Sequence, residues 1–409
     1  MALGIFEIND AGIQVAVDGE IVTASPGYAV LDGDTLLIGQ EGMDNARLLP
    51  RWTNNRFWNQ LGSEPIPNRT ATIRHHADLA FSHLESLWQS IRNDVNQFIF
   101  VVPGFYSREQ LGLLLGMAQE AEIPATGIVD ASLSAVSRQA ASIIALHLEI
   151  YLHRITLTEL SADDRLSRKD TVTVCESGIF TLWDRWANII ANQFIQTSRY
   201  DPMHQAVSEQ RLYDQLPGWI RGLADNRGNR FELDLPDANH SVSVSTEQLM
   251  NACANIYPQV VQAVRARTRE GAPIRLFISD RFRGFPGLSD SLQLINNVES
   301  VWLEAADPVQ GAMDNREHII SSSGAVSHVT SLPVADAAEP ATKRTNEDRR
   351  LRATHLLLDH RATPIGTAFK LGRNLEDGLS RATRDPICTV YPRGAEVIHD
   401  IPDPGAITV

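Results

Sequence analysis

Phe98-Ile-Phe-Val-Val-Pro-Gly-Phe-Tyr-Ser-Arg-Glu-Gln110 opens the stretch, running to Ser134, on which the fold of this chain turns. The continuous β-branched and aromatic run over 98–102 predicts a strand, and Pro103-Gly104 stops it. Ser107 is placed as a helix N-cap, with acidic and amide side chains in the turn that follows. Leu111, Leu114, Leu115 and Ala118 then recur at helical spacing, so one face of the helix should lie on a sheet. Residues 123–129 predict a second strand, and Asp130 at its carboxyl end brings a carboxylate to the edge where open α/β sheets carry functional groups.

Composition sets the frame around this unit. The chain has 409 residues, 43% of them hydrophobic, enough for two or three domains with a sizeable core. Lys+Arg 36 against Asp+Glu 50 gives a net charge of −14, which argues against general nucleic-acid binding or docking on anionic lipid. No apolar run reaches the ~20 residues of a membrane span, so no direct membrane insertion is expected. Residues 1–7 lack a signal-like start, and Cys175, Cys253 and Cys388 are isolated; a cytoplasmic protein with reduced thiols is the expectation.

Residues 101–110, the helix after them and Gly127-Ile-Val-Asp-Ala-Ser-Leu-Ser-Ala135 resemble the actin-like ATPase superfamily, closest to the nucleotide-binding domain of the 70-kDa heat-shock chaperones. In that family a VPAYF strand end leads through a helix to NEPTAAA. Ser25-Pro-Gly-Tyr-Ala-Val-Leu-Asp-Gly-Asp-Thr-Leu-Leu-Ile-Gly39 resembles a further segment of the same domain, and the order of motifs agrees over roughly the first three quarters of the chain. The resemblance implies a bilobal α/β fold, actin-like and thus ribonuclease H-like, with mixed sheets flanked by helices. It implies a first lobe over 1–142 and a second over 143–320. The second lobe would carry a roof subdomain near 200–268 and a return helix near 307–318.

The resemblance also assigns a cleft. Glu7, Asp130 and Glu149 stand where the family handles metal and water, so Glu7 and Glu149 would meet Mg²⁺ through the nucleotide. Asn9, Asp10, Arg56, Tyr151, Gly178, Asp280 and Gly284 stand where it contacts the cofactor. Bare backbone is nevertheless lost in the motifs. Asn9 replaces a close-approach glycine, Asp10 adds negative charge, Ile150, Tyr151 and Leu152 fill the second phosphate loop, and Ser279-Asp280 replaces a glycine pair. Three such losses predict a cofactor state of none, or of weakly bound ATP or ADP with Mg²⁺. A chaperone-like scaffold with a protein partner is therefore favoured over a working Mg-dependent ATPase, while homo-oligomer or filament formation is a third possibility.

Other features have simpler accounts. Arg51, Trp52, Arg56, Phe57 and Trp58 form an Arg and Trp cluster suited to packing or to a partner. His75-His76 is expected to be solvated. Leu146, Leu148, Ile150 and Leu152 alternate with His147, Glu149, Tyr151 and His153, a strand with one buried face; His147, Glu149 and His153 as zinc ligands is a rival account. Residues 246–268 predict one long helix. Residues 321–352 predict a linker, and 353–409 a small C-terminal β module, in which Leu371-Gly-Arg373 and Ser380-Arg381 are similar to parts of a forkhead-associated domain.

Overall fold

A hairpin and a parallel strand pair are repeated twice to give the architecture. The computed structural model describes residues 2–139, 144–162, 164–224, 229–234, 239–268, 274–321 and 326–333, and strands between 355 and 400. In chain order the first part contains β1 (Leu3–Glu7), β2 (Ile13–Val17), β3 (Glu20–Ser25), β4 (Ala29–Asp32), β5 (Thr35–Ile38), α1 (Gln40–Asp44) and β6 (Thr53–Asn54). Then come α2 (His76–Gln89), β7 (Gln97–Val102), α3 (Arg108–Glu120), β8 (Ala125–Asp130) and α4 (Ala131–Val136).

The second part starts with β9 (Ile144–Ile150), β10 (Ile155–Ala162), β11 (Arg165–Cys175), α5 (Ile179–Ser198) and α6 (Ala206–Ala224). It continues through β12 (Arg230–Asp234), β13 (Asn239–Ser243), α7 (Thr246–Asn251), α8 (Tyr257–Arg265), β14 (Ile274–Ile278), α9 (Leu288–Gln293) and β15 (Val298–Trp302). It closes with α10 (Asp307–Asp314), α11 (Arg316–Ile319), β16 (His328–Val329) and β17 (Ser331–Pro333).

Two six-stranded mixed sheets result, ordered β16-β8-β7-β1-β2-β3 and β15-β14-β9-β10-β11-β17. Each is an antiparallel meander of three strands whose first strand takes a parallel pair on its other side. The alternation predicted over 98–102 is used on both faces. Phe98, Phe100 and Val102 pack with Leu79, Leu84, Leu114 and Ala118 of α2 and α3. Ile99 and Val101 join a core with Leu133 and Val136 of α4, Val309 and Ala312 of α10, and Leu160 and Phe277 of the other sheet. A strand covered on both sides reads as a continuous apolar run, which is why no polar residue interrupts it. The predicted N-cap also forms: Ser107 Oγ accepts from Gln110 N at 3.3 Å, and Gln110 Oε1 accepts from Ser107 N at 3.0 Å.

Four sequence expectations change. The face of β9 expected to meet water is buried, with His147 1% and Glu149 3% exposed, as is His153 at 3% in the turn after it, because this end of the hairpin turns toward the sheet built on β1. The helix expected over 246–268 is two helices, since Pro258 sits at the start of α8 and cannot supply the N–H that an uninterrupted helix needs. His76 is buried rather than solvated, and His75 is half-buried with its Nδ1 3.1 Å from Asp78 Oδ2. The segment read as linker begins with a strap: β16 pairs with β8, β17 pairs with β11, and Leu332 is fully buried.

The chain forms two compact units, residues 1–336 and 337–409. The second unit contains strands His355–Leu358 and Arg361–Pro364 as a pair, and a four-stranded antiparallel sheet of Phe369–Asn374, Gly378–Arg381, Cys388–Arg393 and Glu396–Asp400. The remainder of the expected linker, and the side chains of the β module, lie outside the described residues.

Candidate functional site

The two hairpins, β1–β2 and β9–β10, face each other, and the acids at their strand ends converge on one cation. Arg281, in the turn after β14, donates from Nη1 to Glu7 Oε1 at 3.1 Å and from Nη2 to Glu7 Oε2 at 2.7 Å. The same Nη2 donates to Gly12 O at 3.0 Å, and Nη1 lies 3.7 Å from Glu149 Oε2. The two-point fork fits a carboxylate, which a lysine could not do as well. Glu149 also accepts from Ile150 N at 2.9 Å.

Electrostatically this is one guanidinium, its side chain 15% exposed, between two buried carboxylates. Burial raises the pKa of Glu7 and of Glu149 against the opposing pull of Arg281. Burial would lower the pKa of Arg281, but Glu7 and Glu149 outweigh it and hold the guanidinium charged. The carboxylates share a single counter-charge, so the pair takes up a proton more readily than free glutamates do. His147 is buried beside them, its Nδ1 2.9 Å from Ser132 Oγ and its pKa pushed down to about 3 by burial, so it remains neutral.

The loops at the hairpin ends are bonded to each other. Asn9 Nδ2 donates to Ile150 O at 3.2 Å, and Leu152 N donates to Asp10 Oδ1 at 2.8 Å. Asp10 is buried, which raises its pKa to about 6 despite the Leu152 amide. Tyr151 is buried with its ring edge-on to Phe105 at 5.0 Å. Gly178 backs this turn: a Cβ there would stand 2.1 Å from Tyr151 O and 2.6 Å from His153 N.

The other predicted residues have separate engagements. Asp130 caps α4, accepting from Ser132 N at 2.9 Å and Leu133 N at 3.2 Å, and pairs with Arg168 of β11 at 2.8 Å. Asp280 is held at 2.6 Å by both Arg221 and Arg283. Gly284 adopts φ 86° and packs on the Ile220 carbonyl, in a cavity of about 570 Å³ that also takes in Arg283 and Trp302. Arg56 stands away from Glu7 and Glu149, at the mouth of a different hollow.

What remains open beside Arg281 is a cavity of about 190 Å³ lined by Gly12, Gln14, His147, Glu149, Asp280 and Glu304, against roughly 300–1,000 Å³ for small-molecule pockets. The rival zinc account fails: His153 Nε2 is engaged by Asn55 at 3.0 Å, His147 Nε2 is 4.0 Å from Glu149, and the described residues contain no metal-ligand cluster of three.

Farther out, Arg47 of the first part bonds Asp184 at 2.8 Å and lies 3.6 Å over the Tyr213 ring. Arg154 bonds Asn59 at 2.7 Å and lies 4.1 Å over Phe105. Sequence inspection singled out none of Arg47, Arg154, Arg168 or Arg281 as site residues. The available signal was a surplus of acids at strand ends, which in a buried cleft requires a cation. The chain matches no protein-family model and no curated protein. No helix among the described residues is long and apolar enough to cross a membrane.

Proposed function

We propose that this is an actin-like body of the chaperone type whose nucleotide cleft has degenerated, and that it works as a protein-interaction or regulatory scaffold. Support for the actin-like, ribonuclease H-like assignment comes from the repeated strand order of the two sheets and from the opposed hairpins with Glu7 and Glu149 at corresponding strand ends. The observation that carries the loss of nucleotide function is Arg281. It supplies from within the chain the positive charge that two facing carboxylates would otherwise take from a metal, and it occupies the space between them. Admitting Mg-ATP requires breaking this buried pair, at about 3–5 kcal/mol, or a factor of roughly 150 to several thousand in affinity.

Calorimetry of the full chain with ATP and Mg²⁺ tests the proposal. The expected result is no saturable binding at micromolar concentration and no hydrolysis above background. Micromolar affinity would overturn it, and hydrolysis abolished by Glu7→Gln and Glu149→Gln would establish the working Mg-dependent ATPase instead.

A further inference from the structure

A hollow of about 450 Å³ lies wholly within the first part of the chain, between the small sheet of β4 and β6 and the start of α2. Its charged and basic lining is Arg51, Arg56 and His76, and no aspartate or glutamate lines it, although the chain carries a net charge of −14. Neither arginine side chain has a hydrogen bond or ion pair among the described contacts; both are exposed at the mouth. Deeper in, His76 is 8% exposed and its Nδ1 has no hydrogen-bond partner. A buried polar atom without a partner is costly to leave so, and a ligand atom would satisfy it. The Gln60 side chain adds an amide, those of Asn54, Asn55 and Asn68 being bonded already to Arg56 N, His153 Nε2 and the Arg51 carbonyl, while Trp52 and Ile66 give the same hollow an apolar wall.

From these features we infer a binding site for a small phosphorylated molecule with a flat ring. The arginine pair suits a phosphate dianion, because guanidinium forks match its oxygens and remain charged at all physiological pH values. Trp52, 38% exposed, offers a ring face for stacking. The volume falls within the usual range for small-molecule pockets. The site is separate from the Arg281 cluster and stands whether or not ATP binds between the two sheets.

The test is calorimetric titration of the full chain with phenyl phosphate, and in parallel with inorganic phosphate. Phenyl phosphate should saturate one site, and inorganic phosphate should bind roughly tenfold more weakly for want of the stacked ring. Arg51→Gln and Arg56→Gln should each weaken phenyl phosphate by roughly tenfold. Trp52→Ala should abolish the preference over inorganic phosphate. These side chains are exposed, so thermal melts should match those of the unaltered chain. No saturable binding up to about 10 mM, or binding that the double arginine variant leaves within twofold, would overturn the site.

Discussion

Replacing Arg281 by methionine removes the only cation in contact with both Glu7 and Glu149 among the described residues and leaves two buried carboxylates facing one another. Removing one partner from a buried pair costs about 3–5 kcal/mol, because the remaining charge is desolvated and uncompensated. The cost should depend on pH with a definite sign. Both carboxyl pKa values are already raised above the ordinary 4.5 and rise further without the guanidinium. A raised folded-state pKa means that the folded protein holds protons the unfolded chain has released. Stability is therefore lost as pH rises above 4.5 through the folded values, and the deficit of the variant should be full at pH 8 and smaller at pH 5.

Arg281→Met combined with Glu7→Gln and Glu149→Gln should recover most of the loss, since a neutral replacement of a whole buried cluster is often tolerated. The assay is guanidinium unfolding followed by tryptophan fluorescence. All 7 tryptophans, from Trp52 to Trp302, lie in the unit over 1–336, so the signal reports that unit alone. A single variant within about 1 kcal/mol of the unaltered chain at pH 8, or a deficit that grows on acidification, would refute the reasoning.

Asp10→Asn keeps an oxygen to accept from Leu152 N while removing a charge whose pKa lies near 6 rather than 3.8. It should stabilise the chain by roughly 2–3 kcal/mol at pH 7.5 and by little near pH 4, as read from denaturation midpoints. Gly178→Ala should cost about 3 kcal/mol, because its Cβ would meet the carbonyl of Tyr151 and the amides of His153 and Arg154, all backbone, and an unchanged melting temperature would contradict that packing. Leu332→Ala should cost about 2–5 kcal/mol, and a chain ended at residue 320 should melt below one ended at 336, since only the latter keeps the strap across both sheets.

Elements whose period is local were legible in the sequence, and elements defined by the partner on the far side were not. The strand at Gln97–Val102, the cap at Ser107 and the carboxylate of Asp130 at a strand end follow from residues within a few positions of one another. The polar face of β9 carries the alternation of a half-exposed strand, yet it is buried, because burial there comes from a hairpin about 140 residues away in the chain, as the Asn9–Ile150 and Asp10–Leu152 bonds make plain. Arg281 likewise has its partner 274 residues distant, and nothing near it in the chain distinguishes it from Arg283, which serves Asp280 instead. Glu7 and Glu149 are paired through the resemblance to the actin-like family, whereas Asp130 and Asp280, named with them, have partners of their own. The counter-ion of Glu7 and Glu149 was not legible, since a charge two-thirds of the chain away is found only by the fold.

On the proposed reading, the side chains standing where the actin-like family has glycines and the arginine between the carboxylates are two parts of one physical change. A phosphate cradle requires backbone amides that have no partner in the empty protein, and such groups are costly unless solvent or a ligand reaches them. Here the amide of Leu152 and the carbonyl of Ile150 are already occupied, by Asp10 and Asn9 from across the cleft, through side chains that a glycine would not have. With that backbone satisfied internally, the facing carboxylates would be the remaining reason for the two sheets to part, and Arg281 turns their repulsion into an attraction shared by both. A closed arrangement is thereby stable with no ligand, and ligand energy is not needed to hold it. Under the proposed scaffold function, that is the property a fixed interaction surface needs and a nucleotide-driven cycle cannot use, because a ligand shifts a conformational equilibrium only by binding its two states unequally.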